Sequence, residues 1–278
     1  MKIKLLDSNF GDQPGLSPFI KPKHDFARDC ENPDLVICTD GRCYSEDLSS
    51  YSCTKVAWLI EPPIVNGENH INMTKNNNSE KFDFVYTYNR WFEDKINNFR
   101  FQPHGGTWLR EEDCAVHEKT KLCSMIYSDK KWNAGHNQRS RAHNLLNEQS
   151  INCDFYGSGA GNFIDFKITG LKDYMFSIAM ENEAPPYLFS PNNDYFSEKI
   201  IDCFLSGTIP IYYGNPRISE YFNSNGIIII TDVDQLPEAM NKATADFYNS
   251  NKEAVLENFE KAKEYKTPED LIVSTLNG

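Results

Sequence analysis

The sequence predicts an α/β protein built on two parallel sheets with helices on both faces. Three observations predict it. Short apolar runs alternate with helical patterns along most of the chain. Runs such as "DLVIC" (34–38) and "VAWLI" (56–60) are continuous, as in strands buried on both faces. Finally, "GGTWLREEDCAVHEKTK" (105–121) loses the pattern and gains charge. The predicted domains are therefore 1–115 and 116–278.

In the first half the expected strands are "KIKLL" (2–6), "PDLVICTD" (33–40), "KVAWLIE" (55–61) and "FDFVYTY" (82–88). Each is short, β-branched or aromatic, and bounded by polar or turn residues. The Asn-rich connection "PPIVNGENHINMTKNNNSEK" (62–81) is expected to be a long, mobile surface loop. In the second half "KLCSMIYS" (121–128) reads as a strand, "QRSRAHNLLNEQ" (138–149) as a helix and "INCDFYG" (151–157) as a strand. A further strand lies in "LKDYMFSIAMEN" (171–182). "SEKIIDCFLSG" (197–207) is a helix ending at Gly207, "TIPIYYG" (208–214) a strand, "RISEYFN" (217–223) a short helix and "GIIIIT" (226–231) a strand. Residues 233–265 read as helical with breaks, and "TDVD" (231–234) as the cap of that stretch.

Composition narrows the function. The 278 residues carry a net charge of −12, against a nucleic-acid partner or a polybasic membrane surface. Any phosphate-bearing ligand must then be held by local basic residues. No stretch is long and apolar enough for an integral membrane segment, and "MKIKLLDSNFGD" lacks a signal-peptide core. None of the eight cysteines forms a C-x-x-C pair, so they read as reduced packing thiols in a cytoplasmic setting. In that setting the Asn-x-Thr triplet at Asn72 stays bare. The six histidines show no metal-ligand spacing; His104 lies nearest a plausible cleft. "PHGGTW" (103–108) lacks the Lys-Ser/Thr of a phosphate loop and reads as a hinge or turn.

The stretch "DYFSEKIIDCFLSGTIPIYYGNP" (194–216) concentrates the chemistry. Ser197 suits an N-cap, placing Glu198 and Lys199 in the first helical turn. Unpaired N–H groups and the helix dipole attract an anion there, and Lys199 adds a full charge fit for a diphosphate. Glu198 can accept two hydrogen bonds from a ribose diol. The alternative is a solvated charged face. Glu181 and Asn182, at a strand mouth, read either as ligand contacts or as a strand-end cap. Tyr195 reads either as a platform for a base or as core packing.

"MFSIAMEN…DYFSEKIIDCFLSGTIPIYYGNP" resembles the donor-binding signature of the α-1,3-fucosyltransferases, glycosyltransferase family 10. The Glu-Asn, Tyr-x-x-Glu-Lys and Ile-Pro-Ile-Tyr-x-Gly elements occur in order. The resemblance implies a GT-B-like fold, two Rossmann-like domains facing across a cleft. It implies transfer of fucose from GDP-fucose, the nucleotide-sugar donor, to a saccharide acceptor's hydroxyl. It assigns donor binding to Glu181, Asn182, Tyr195, Glu198 and Lys199. The family's phosphate-binding arginine falls on Arg139 by its spacing to Leu146, with Arg141 as the alternate; an arginine fork suits phosphate oxygens. Glu183 stands where the family has Ser. The spacer 183–194 exceeds the family's usual length and is expected to form an extended lid.

The resemblance also places the catalytic base on Glu61, after "KVAWLI". An inverting transfer needs one carboxylate to take the acceptor's proton, held rigidly and partly dry. Pro62 and Pro63 would fix it; a capping or ion-paired glutamate is the alternative reading. The expected chemistry is metal-independent and needs no cofactor, because Lys199, an arginine and a helix N-terminus oppose the developing diphosphate charge. "NNDYF" and "TDVD" are weak metal motifs. Alternatives keep the fold with another nucleotide sugar, or make the chain an inactive nucleotide-sugar-binding module with no need of Glu61. A glycoside hydrolase would require a second acid across the bond and leaves the cations unexplained.

Overall fold

The central strands of both sheets form where unbroken apolar runs occur, and both sheets are wholly parallel. In the computed structural model, which describes residues 1–7, 10, 13, 15–183 and 194–276, the first half contains β1 (Lys2–Leu6), β2 (Asp25–Ala27), β3 (Leu35–Thr39), α1 (Arg42–Ser45), β4 (Thr54–Trp58), α2 (Pro63–Met73), β5 (Phe84–Thr87) and β6 (Phe99–Phe101). Its six-stranded sheet has the order β2-β1-β3-β4-β5-β6. The second half contains β7 (Lys121–Ile126), α3 (Ala134–Glu148), β8 (Asp154–Tyr156), β9 (Tyr174–Met180), α4 (Glu198–Leu205), β10 (Ile209–Tyr213), β11 (Ile228–Ile230), α5 (Leu236–Lys242), α6 (Ala245–Ser250), α7 (Lys252–Ala262) and α8 (Pro268–Leu276). Its sheet has the order β11-β10-β9-β7-β8.

The runs are continuous because successive side chains feed opposite cores. On β3, Leu35 and Ile37 enter one core while Val36 and Cys38 enter the other. β4 and the two residues after it divide likewise, with Val56, Trp58 and Ile60 against Ala57 and Leu59. In the second sheet, Ile209, Ile211 and Tyr213 of β10 oppose Tyr212, and Phe176 and Ile178 of β9 oppose Ala179. Full burial of each aliphatic side chain is worth about 1.5–3 kcal/mol, so a one-residue register slip, which would exchange the two cores, is strongly disfavoured.

α4 is short but fully specified. The Ser197 side chain accepts from the Lys199 N–H, Glu198 sits in the first turn, and six of the eight helical residues are buried. The helix stops at Gly207, whose φ of +72° suits glycine. There Gly207 N–H donates to Phe204 O at 3.0 Å and Thr208 N–H to Cys203 O at 2.8 Å, a paired C-terminal cap. "TDVD" does cap the helical stretch after it: Asp232 and Gln235 form a reciprocal capping box.

The segment 62–81, expected as a mobile loop, instead carries α2. Pro63 occupies the first turn, where its missing N–H costs nothing. Asn69, His70 and Met73 are buried, a helical face concealed by asparagine-rich composition. The helix is interrupted at Asn66, where φ is −147°. "RISEYFN" gives only a 3-10 turn, Ile218–Glu220.

The predicted boundary at 115/116 falls between β6 and β7. Beyond it, α8 returns to the first sheet, where Ile272 and Val273 pack with Ile3, Leu35 and Trp58. Ser17 Oγ donates to Lys266 O, and Tyr86 OH lies 3.0 Å from Thr275 Oγ1. Glu269, fully buried on α8, accepts a hydrogen bond from the Leu16 N–H. Burial pushes its carboxyl up to about 7.

The halves also meet at residues 105–108. Gly105 N–H donates to Phe196 O at 3.1 Å. Buried Asp202 of α4 accepts from Thr107 Oγ1 at 2.6 Å and the Trp108 N–H at 2.9 Å. Asp194, equally buried, binds Arg90 of the first half and Arg217 of the second. Among the described residues, no helix is long and apolar enough to cross a membrane.

Candidate active site

In an open parallel sheet the strand ends leave a crevice at their carboxyl edge, where loops and helix N-termini converge. Here the edges of both sheets share one cavity of about 610 Å³. Glu61 enters from the loop after β4, Tyr127 and Ser128 follow β7, Gly157 and Ser158 follow β8, and Asn182 follows β9. Glu198 and Lys199 open α4, and Arg139 projects from the second turn of α3.

The cavity's charge is opposite to that of the chain. Among the described lining residues, Lys130, Arg139, Lys167 and Lys199 face three carboxylates, Glu61, Asp165 and Glu198. The whole protein, by contrast, carries −12. Burial together with Arg139, Lys130 and Lys199 pushes His136 down to about 4, so this histidine is neutral beside the cations.

Three of these cations are held by specific partners. Arg139, buried to 6%, donates from Nε to Met180 O at 3.1 Å and from Nη2 to Asn182 Oδ1 at 2.6 Å. Lys199 Nζ lies 3.0 Å from Glu198 Oε1, 3.1 Å from Ser197 Oγ and 3.8 Å from Glu181 Oε2. Lys167 Nζ bridges Asp202 at 2.8 Å and Glu198 at 3.5 Å. Burial disfavours the charged Glu198, but Lys199 and Lys167 outweigh it and hold the carboxyl well below the usual range.

Glu181 is fully buried and lies beneath the cavity, outside its lining. It accepts from the Ser197 N–H at 2.9 Å and from Ser197 Oγ at 2.5 Å, so it fastens the start of α4. Burial raises its pKa, opposed by Lys199. Tyr195 lines the cavity while its ring packs against Tyr88 and His104, with centroids 5.1 and 5.3 Å away. Arg141 is not brought to the cavity. Two residues beyond Arg139, it projects from another helix face and binds Asp234 at 2.6 Å and Asp232 at 3.6 Å. The predicted lid falls largely on 184–193, outside the described residues.

Glu61 is half-buried and lines the same cavity as these groups. Its pKa is raised by burial and by Glu198, against the lowering pull of Lys199 and Lys130. Those couplings place the carboxylate within electrostatic reach of α4's first turn.

Residues 116–273 match the family model described as glycosyltransferase family 10 (fucosyltransferase), C-terminal part. This chain belongs to glycosyltransferase family 10. Among family relatives, the alpha-(1,3)-fucosyltransferase FucT of Helicobacter pylori is 34% identical over 70 residues, covering 25% of this chain and 13% of that protein. The 4-galactosyl-N-acetylglucosaminide 3-alpha-L-fucosyltransferase 9 of Mus musculus is 28% identical over 141 residues, 49% of this chain and 36% of that protein. The chain thus matches well under half the length of these curated relatives.

Solved structures agree on the fold. An alpha1,3-fucosyltransferase with GDP-fucose superposes with a TM-score of 0.52 at 17% identity, covering 93% of this chain and 81% of that one. Anabaena Alr3699/HepE, in complex with UDP and glucose, gives 0.58 at 11% identity over 88% of this chain and 78% of that one. The family 10 chain therefore has the GT-B arrangement expected from its sequence.

Three lining groups escaped the sequence reading. Lys167 lies in a polar stretch with no motif. Lys130 and His136 flank the start of α3, where the Asn133 side chain caps the helix by accepting from the His136 N–H at 2.9 Å. A basic residue shortly after β7 and ahead of a capped helix was a legible signal for an anion site.

Proposed function

We propose that this family 10 chain is an inverting glycosyltransferase that moves fucose from GDP-fucose to a saccharide hydroxyl. One observation carries the reading: among the described residues, one carboxylate from the first half, Glu61, and the cations Arg139 and Lys199 from the second line one cavity. Glu61 takes the proton from the acceptor hydroxyl. That oxygen attacks the anomeric carbon from the face opposite the diphosphate, and the bond from this carbon to the diphosphate oxygen breaks. Charge developing on the leaving GDP is met by Lys199 and Arg139, both held by hydrogen-bond partners before the reaction, and by the more exposed Lys130. Because these cations supply the opposing charge, the proposed chemistry runs without a divalent ion. The raised pKa of Glu61 suits a base, since basicity grows with desolvation.

Glu198 holds the ammonium of Lys199 and is kept ionised, in position to accept from a ribose diol. Asn182 orients the Arg139 guanidinium. Glu181 supports the donor site from beneath. A catalytically inactive binder would not require a half-buried carboxylate in the same cavity as the cations.

The test is Glu61→Gln. Transfer from GDP-fucose to a 4-galactosyl-N-acetylglucosaminide should fall by at least about a hundredfold, the size of a general-base contribution. The thermal shift with GDP-fucose should persist. Wild-type turnover by the variant would refute the base assignment. A melting point moved only by UDP-sugars would refute the donor assignment.

A further inference from the structure

Glu61 stands on a short exit segment after β4, outside any helix or strand, so something else must fix its backbone. Two buried side chains grip that backbone from opposite sides. Asp40, at the carboxyl end of β3 and 2% exposed, accepts from the Ile60 N–H at 3.0 Å and from the Glu61 N–H at 3.4 Å through both carboxylate oxygens. Its own N–H donates to Trp58 O at 3.1 Å, so it binds the β4 exit twice. Its φ is +41°, a conformation that costs a non-glycine residue energy and that surrounding contacts must hold in place.

His70 of α2, 3% exposed, has Nε2 2.9 Å from Glu61 O. Its tautomer is set by its neighbours. The Trp91 N–H donates to Asn89 Oδ1 at 3.0 Å, which turns the Asn89 amide nitrogen toward His70 Nδ1, 3.5 Å away. Nδ1 therefore accepts and Nε2 carries the proton. Burial pushes His70 down to about 4, consistent with a neutral ring.

We propose that Asp40 and His70 are positioning residues that together clamp the Glu61 backbone, Asp40 through its N–H and His70 through its carbonyl. The proposal rests on Glu61 acting as the base. A carboxylate placed loosely on a loop loses its alignment with the attacking hydroxyl, and misplacement of about 1 Å costs on the order of a hundredfold in rate.

The test compares His70→Phe with His70→Gln. Phenylalanine retains the packing against Phe92, whose ring centroid lies 5.7 Å from that of His70, but donates nothing. Glutamine places an N–H donor near the former Nε2. With GDP-fucose and a 4-galactosyl-N-acetylglucosaminide, His70→Phe should lower kcat at least tenfold while the Kd for GDP-fucose stays within twofold. His70→Gln should recover more than half of the lost rate. Asp40→Ala and Asp40→Asn form a parallel pair, and the His70 pair decides alone if Asp40→Ala does not fold. Wild-type kcat in His70→Phe beside an inactive Glu61→Gln overturns the clamp and leaves the base in place. Full turnover by Glu61→Gln overturns both. A loss of kcat that glutamine fails to rescue and that is matched by weaker GDP-fucose binding reveals general damage and also overturns the clamp.

Discussion

Glu269 offers a direct measurement of how burial on α8 shapes stability. Replace it with Gln, which keeps an acceptor for the Leu16 N–H but cannot ionise. In the unfolded chain the carboxyl titrates near 4.5, and in the folded protein near 7. Below pH 4.5 it is protonated in both states. Between 4.5 and 7 the folded state keeps a proton that the unfolded state has released, so stability falls as pH rises through this window. At about 1.4 kcal/mol per pH unit, the loss sums to about 3 kcal/mol. His70, His104 and His136, each pushed down to about 4, shift stability in the opposite sense, losing it as pH falls. These terms are common to both proteins and cancel in the difference. Urea unfolding at pH 5, 6, 7 and 8 should therefore show Glu269→Gln gaining on the wild type with each step, by about 3 kcal/mol in total between pH 4.5 and 8. A difference that stays flat with pH, or narrows as pH rises, would refute the reasoning.

Two other outcomes are expected. Arg139→Ala should raise the Kd for GDP by roughly ten- to a hundredfold, the worth of a charge-assisted hydrogen bond of about 1.5–3 kcal/mol, whereas Arg141→Ala should leave it within twofold; calorimetric titration checks both. If the cations suffice for the leaving group, fucose transfer in excess EDTA should match the untreated rate, and loss of activity restored by Mg²⁺ or Mn²⁺ would reject metal independence.

The sheets were legible because a strand buried on both faces leaves an uninterrupted apolar run, as in β3, β4 and β10. The edge strands β2 and β6 were not, since three residues beside solvent carry no pattern. α2 was missed because its buried positions include Asn69 and His70, polar residues whose partners come from other parts of the chain. The family motif located Glu61, Asn182, Tyr195, Glu198 and Lys199, all of which line the cavity. Arg139 could be separated from Arg141 by helical phase: it shares the buried face of Ala142 and Leu146, three and seven residues on. Glu181 shows the limit of such reasoning. A polar residue at a strand mouth looks alike from sequence whether it faces the ligand or supports the residue that does. Asp40, Lys167 and His70 bear no local mark, because their roles arise only where distant strands and helices meet.

The return of α8 has a consequence for how the molecule is made. A ribosome delivers residues 1–101 first, yet one core of that half still lacks Ile272 and Val273. The early half waits with an apolar face uncovered until α8 emerges. A fragment cut between β6 and β7 would keep that face bare, so studies of the half bearing Glu61 must supply residues 266–276 as well.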